Sequence, residues 1–208
     1  MSSEFFLHPI KAILFDLDGT LVHSALDFNQ IRTDIGCPDG QDVLSYVETL
    51  PSQEKLNAEK IIRQHELDDA HSAQVIHGAS CLLERLEARG LKTAIVTRNS
   101  FEATQIKIKK CGIKVPYVLT REDAPAKPNP QGLLYFSKKW SLSPQECVYV
   151  GDYLYDLQAA NNAKMHACLY LENNETKLFP EFSALADFIC HDYKMFEQGL
   201  SYYLKSRG

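Results

Sequence analysis

The sequence has no C-x-x-C pair among its six cysteines, Cys37, Cys81, Cys111, Cys147, Cys168 and Cys190. A chain of 208 residues is too long to need disulfide staples. Several of the cysteines sit in apolar runs, and buried free thiols in a reducing, cytoplasmic setting are expected. No run of about 18 apolar residues occurs, so no membrane span is expected. The first ten residues carry Glu4 and His8 and only a short apolar piece, Phe5 to Leu7, which is not a signal-peptide pattern. Basic residues are not in excess: 22 Lys and Arg face 27 Asp and Glu, a formal net charge of −5 that disfavours a nucleic-acid partner. The acids are spread out, without an acidic tail. There is no internal repeat, no low-complexity segment and no heptad pattern, and a monomer is the expected state.

What is present is an ordinary globular composition, 45% hydrophobic and 24% charged, in a length that suits one domain with a sizeable core and an insertion. One stretch organises the rest, Lys11-Ala-Ile-Leu-Phe-Asp-Leu-Asp-Gly-Thr-Leu21. Ala12 to Phe15 is a short apolar run followed by turn chemistry at Gly19, which reads as a buried strand. Asp16 and Asp18 stand at its C-terminal end. Residues two apart on a strand point the same way, so both carboxylates can face one pocket. Two anions this close repel unless a cation lies between them, and a hard divalent ion with oxygen ligands fits. One carboxylate as nucleophile, the other as acid/base, and a metal is the chemical reading. Asp-Gly alone also marks a surface turn. Complementary pieces downstream argue against that.

Residues 21–78 contain no convincing strand and read as a helical insertion, with helices expected over 27–35 and 42–50 and a third, capped by Ser52, with 55–67 inside it. From Gly78 onward strands alternate with helices. Strands are expected at 91–97, 117–120, 147–150, 166–171 and, at an edge, 187–190. Helices are expected at 79–89, 100–111, 130–140, 156–163 and 193–205, with a capping-box turn at Ser143-Pro-Gln-Glu146. That rhythm predicts an α/β fold, a Rossmann-like doubly wound parallel sheet covered on both faces.

Three further strand ends and loops carry chemistry. After Ile95-Val96, the Thr97 hydroxyl can donate to a phosphate oxygen or cap the next helix; Asn99 or Ser100 can fill that cap instead. In Ala126-Lys127-Pro128-Asn129-Pro130, two prolines stiffen the loop behind a lysine, which supplies a point positive charge beside a helix start. In Val148-Tyr-Val150-Gly-Asp152-Tyr-Leu-Tyr-Asp156, Asp152 is placed to complete a metal shell. Asp156 can cap a helix, bind the metal or pair with Lys127.

Together and in this order, these pieces resemble the haloacid dehalogenase superfamily of phosphohydrolases: Asp16-x-Asp18-Gly19-Thr20, then Thr97, then Lys127, then Gly151-Asp152-x-x-x-Asp156. The insertion is similar in position to the small helical cap of the phosphoglycolate phosphatase and β-phosphoglucomutase group. The resemblance implies a core of residues 1–21 and 78–208 and a cap of residues 22–77. It implies a phosphatase acting on a small phosphorylated metabolite such as phosphoglycolate or a sugar phosphate, through an aspartyl-phosphate. Asp16 would be the nucleophile and Asp18 the acid/base. Mg²⁺ would be held by Asp16, the Asp18 backbone carbonyl and Asp152. Thr97 and Lys127 would hold phosphoryl oxygens, with Asp156 supporting them. Leu17 offers a backbone amide, Arg98 and Asn99 are further candidates for substrate contact, and Gly19, Thr20 and Gly151 shape the loops. Tyr153 is a candidate entrance residue, and His23, just beyond the Gly19-Thr20 turn, can touch substrate or serve as a hinge residue with no chemistry. The alternatives are a phosphotransferase of the β-phosphoglucomutase type and a non-catalytic binding module. The second is disfavoured because nucleophile, lysine and metal carboxylates are all present.

Overall fold

A computed structural model describes residues 9–172 and 180–205, so the expectation for Phe5 to Leu7 lies outside them. Eight strands and nine helices are described: β1 (Ala12–Phe15), β2 (Val22–His23), α1 (Phe28–Ile35), α2 (Val43–Glu48), α3 (Ser52–Ser72), β3 (Gln74–Val75), α4 (Ala79–Ala88), β4 (Lys92–Val96), α5 (Phe101–Cys111), β5 (Val118–Leu119), α6 (Gln131–Lys139), β6 (Cys147–Gly151), α7 (Leu154–Ala163), β7 (His166–Tyr170), α8 (Pro180–Leu185), β8 (Phe188–Cys190) and α9 (Tyr193–Lys205).

Six strands form one parallel sheet in the order β5-β4-β1-β6-β7-β8. The Rossmann-like architecture expected from the alternation is the one observed. β1 is central, with Leu14 opposite Ala94 on one side and Tyr149 on the other. Its four residues are all buried because both faces of the sheet are covered. Ile13 and Phe15 enter the core shared with α4 and α9, whereas Ala12 and Leu14 enter the core shared with α6 and α7. The chain order reverses direction across the sheet at β1, from β4 and β5 on one side to β6 on the other. A crevice therefore opens at the carboxyl ends of β1, β4 and β6, where ligands of open α/β sheets bind.

The insertion is helical, as expected, with its own small core of Ile31, Val43, Val47, Ala58 and Ile62. Asp27 caps α1 by accepting from the Asn29 and Gln30 amides, and Asp42 caps α2 by accepting from the Ser45 amide. Three features differ from the sequence reading. β2 and β3 pair antiparallel at the two points where the chain passes into and out of the helices. Strands of two residues are too short to leave a periodic signal. The third helix runs from Ser52 to Ser72 and contains 55–67, but Ser52, expected as its cap, is its first helical residue and Pro51 holds the cap position. α8 has no counterpart in the sequence reading, whereas the edge strand and the closing helix lie where it expects them.

Free cysteines are found at all six positions. Cys37, Cys147, Cys168 and Cys190 are buried, Cys111 is half-buried and Cys81 is exposed. Among the described residues, no helix is long and apolar enough to cross a membrane.

Candidate active site

The four sequence pieces meet at the mouth of the crevice, in a cavity of about 430 Å³ lined by Asp16, Asp18, Gly19, Thr97, Lys127 and Asp152 among others. β1 delivers Asp16, whose amide donates to the Val150 carbonyl of β6 at 2.8 Å and so locks the first loop to the fourth. Gly19 has φ +69°, and a Cβ there would lie 2.1 Å from Asp152 Oδ2. Only glycine lets the two loops close to this distance. At Gly151 a Cβ would lie 2.3 Å from the Asp156 Cβ, so this glycine admits Asp156 into the site.

Lys127 is the hub. Its Nζ lies 2.7 Å from Asp16 Oδ1 and 2.6 Å from Asp156 Oδ1, and it donates to the Tyr149 hydroxyl at 2.7 Å. The Tyr149 hydroxyl in turn donates to the Val96 carbonyl at 2.8 Å. Burial works against the lysine's charge, but Asp156 and Asp16 outweigh it and hold the ammonium above its ordinary pKa. Asp156 is committed to support, since its second oxygen accepts from the Tyr153 amide at 3.1 Å. It is the third residue of α7 and not its N-cap.

Oxygens of Asp16, Asp152 and Asp156 all lie within 4.8 Å of one another, a buried acidic cluster of the kind that holds a cation. Burial is the main cause that lifts the Asp16 carboxyl to about 7, against the pull of Lys127, and burial followed by the Asp156 charge pushes Asp152 well above the carboxylate range. Three carboxylates with one lysine are short of positive charge. With Asp156 already bonded twice, Asp16 and Asp152 are the two with oxygen to spare for a hard divalent ion.

Asp18 turns its carboxylate away from this cluster. Oδ1 lies 2.6 Å from Lys107 Nζ, and Oδ2 accepts from Asn99 Nδ2 at 2.6 Å. Its side chain is therefore not a fourth carboxylate beside Asp16, Asp152 and Asp156. Burial raises its pKa, opposed by Lys107 and Asn99.

Thr97 is buried at the end of β4, and its Oγ1 accepts from the Asn99 amide at 3.2 Å; Ser100 is the N-cap of α5. Arg98 lines the cavity but is already engaged. It contacts Asp42 of the α2 cap at 2.5 Å, donates to the Lys127 carbonyl at 2.8 Å and lies 4.5 Å from the Tyr155 ring centroid. Leu17 is buried, and its carbonyl accepts from the Leu21 and Val22 amides. Thr20 is buried too, and its carbonyl accepts from the Tyr193 hydroxyl. Tyr153 lines the cavity and is half exposed. His23 is outside the lining and faces Glu172 at 3.3 Å. Sequence reasoning missed Tyr149, Lys107 and Asp69, the last lying 2.6 Å from Lys107. A polar ring inside an apolar strand was the available signal for Tyr149. A lysine four residues after Ala103, on the buried face of α5, was the signal for Lys107.

Known proteins resemble this chain over most of its length. Residues 25–170 match the model of a haloacid dehalogenase-like hydrolase family, a span that includes Thr97, Lys127 and Asp152. An uncharacterized hydrolase of Saccharomyces cerevisiae is 30% identical over 89% of this chain and 88% of its own length. A phosphoglycolate phosphatase of Nitrosospira multiformis is 28% identical over 80% of this chain and 86% of its own. A hydrolase from Pseudomonas syringae of known structure shares the fold, with a TM-score of 0.78 at 22% identity over 92% of this chain and 98% of that one. The chain belongs to the haloacid dehalogenase-like hydrolase family.

Proposed function

We propose that the protein is a Mg²⁺-dependent phosphomonoesterase acting through an aspartyl-phosphate on Asp16. The observation that carries this reading is the Lys127 hub, with its ammonium shared between Asp16 and Asp156 beside Asp152. Phosphoryl transfer needs positioning and charge compensation more than covalent help, and this pocket supplies both.

Asp16 Oδ attacks phosphorus and the bond to the alcohol oxygen breaks. Asp18 gives that oxygen a proton as the alcohol leaves. In the second step Asp18 takes a proton from water, which attacks the phosphorus and frees Asp16 and inorganic phosphate. Thr97 and Lys127 bind the non-bridging oxygens, and Asp156 and Tyr149 hold Lys127 in place. Asp16, Asp152 and the Asp18 carbonyl are the groups that would hold Mg²⁺. Mg²⁺, when bound, compensates the negative charge of the carboxylates and the phosphoryl group.

We read residues 22–77 as a cap that covers the reacting atoms and residues 1–21 and 78–208 as the core. Leu26, Phe28, Val43 and Leu44 give the outer cavity wall an apolar character, and Arg98 is already paired with Asp42. Both features favour a small metabolite with one phosphate over a bisphosphate, and so a phosphatase over a phosphomutase. The name of the Nitrosospira relative is in keeping with that class.

The test is phosphate release from a panel of phosphomonoesters, with Mg²⁺ and with chelator, for the native protein and Asp16→Asn. Metal-dependent release that disappears in Asp16→Asn, with the melting transition retained, is the expected result. Normal turnover by Asp16→Asn would sink the mechanism. Turnover of a bisphosphate-primed substrate without net phosphate release would transfer the reading to a phosphotransferase.

A further inference from the structure

Lys107 is fully buried, and its ammonium is held between two carboxylates, 2.6 Å from Asp18 Oδ1 and 2.6 Å from Asp69 Oδ2. Placing a lysine inside a protein costs desolvation and side-chain freedom, which excellent pairing has to offset. One carboxylate would suffice for pairing. Here the two come from different parts of the molecule: Asp18 lines the cavity beyond β1, and Asp69 lies in the last turn of α3.

Asp69 has a second set of partners. Its Oδ1 accepts from the Ala25 amide at 2.6 Å, and its Oδ2 accepts from the Ser24 hydroxyl at 2.9 Å. Ser24 and Ala25 belong to the segment that leaves β2 for the helical insertion. One carboxylate thus ties together the chain entering the helices, the end of the long helix, and the lysine on Asp18. On the other side Asn99 Nδ2 bonds Asp18 Oδ2 at 2.6 Å. Lys107 and Asn99 grip one oxygen each and fix the plane of the carboxylate, while each oxygen keeps a further lone pair.

We infer that Lys107 is a positioning residue for the Asp18 carboxylate, and that Asp69 makes this positioning depend on how the end of α3 is seated. The inference rests on the phosphatase reading, in which Asp18 protonates the leaving alcohol. Lys107 touches neither phosphate nor alcohol in this role. It acts by keeping Asp18 in line for proton transfer, a duty in which a displacement of about 1 Å can cost on the order of 100-fold.

Leaving-group dependence separates this role from a merely structural one. An alkoxide needs a proton to depart, whereas p-nitrophenoxide departs without one. Loss of Asp18 positioning therefore penalises an alkyl phosphate selectively in kcat/KM, which reports the steps up to phosphoenzyme formation. Loss of general structure penalises both substrates alike. The experiment measures kcat/KM for ethyl phosphate and p-nitrophenyl phosphate, with Mg²⁺, in the native protein, Lys107→Met, Asp69→Asn and Asp16→Asn, with a thermal melt of each. For Lys107→Met the expected fall is about 100-fold on ethyl phosphate and under about 3-fold on the aryl ester. For Asp69→Asn, which leaves the lysine on Asp18, the expected fall on ethyl phosphate is about 10-fold, again with the aryl ester spared. Should Lys107→Met fail to fold, Asp69→Asn decides the matter alone. Parallel losses on both substrates, or an undiminished rate on ethyl phosphate, would overturn the role of Lys107 while Asp16-dependent turnover by the native protein left the phosphatase reading standing. No phosphate release from either ester by the native protein would overturn that reading and this role with it.

Discussion

Gly19 shows how much of the site depends on single atoms that are absent. Its left-handed backbone and the Asp152 carboxylate against its α-carbon leave no room for a side chain. Gly19→Ala combines a strained conformation, about 1–2 kcal/mol, with a contact that forces Asp152 away from Asp16. We expect a lowered melting temperature and a loss of metal-dependent turnover much larger than the stability change alone would produce, measured as kcat at a temperature well below the transition. An equal rate in Gly19→Ala would mean that the position of Asp152 is not critical. Lys127 makes the complementary point. It was legible from its stiff proline loop, but the Tyr149 hydroxyl that orients it was not, because the ring sits in the middle of an apolar strand and meets Lys127 only after folding.

At the level of elements, α3 shows how a buried stripe can escape sequence periodicity. The buried residues along it are Ala58, Ile62, Glu66, Asp69 and Ala70. Two of the five are acids, so the inner stripe does not look apolar and the periodicity fades after 67. Their burial is compensated from outside the helix: Glu66 pairs with Arg121 and accepts from the Ser100 amide, and Asp69 pairs with Lys107. The turn before β6 behaves as its sequence suggests. Glu146 accepts from the Ser143 amide at 2.8 Å and pairs with Lys11 at 2.6 Å. The Lys11 contact first, and the Ser143 amide second, lower its carboxyl from 4.5 to about 2. A depressed acid contributes stability that is present above its unfolded pKa and lost as pH falls through its folded one. Glu146→Gln should therefore melt below the native protein at pH 7, and the gap should close between about pH 4.5 and pH 2. A gap that persists at pH 2 would show that the effect is not ionic.

The whole molecule is a parallel sheet joined to a helical insertion by a two-stranded stem and by ion pairs. Asp42 with Arg98, Glu66 with Arg121 and Asp69 with Lys107 each match an acid of the insertion with a base near the β4–α5 side of the crevice. The same crevice gathers carboxylates without enough positive charge, which predicts a stability linkage. A divalent ion that binds the folded state alone stabilises it by about 2.7 kcal/mol at 100 times its dissociation constant. For a chain of this size that is a rise of roughly 5–10 °C in the melting temperature. Mg²⁺ titration should produce it, chelator should reverse it, and Asp152→Asn should abolish most of it. An equal rise in Asp152→Asn would place the ion elsewhere.

The sequence by itself determined the α/β alternation, the helical insertion after the first strand, and the order of Asp16, Asp18, Thr97, Lys127 and Asp152 along the chain. Those signals are local: strands buried on both faces read as apolar runs, and a chemical group at a strand end stands out against the run before it. Tertiary structure alone decided that the Asp18 carboxylate faces Lys107 instead of the acidic cluster, that Asp156 serves Lys127, and that Arg98 is spent on Asp42. It also decided that β2 and β3 pair at all. Each of these depends on a partner at least 29 residues away in the chain: a charge finds its counter-charge by proximity in space, and sequence spacing carries no record of that distance.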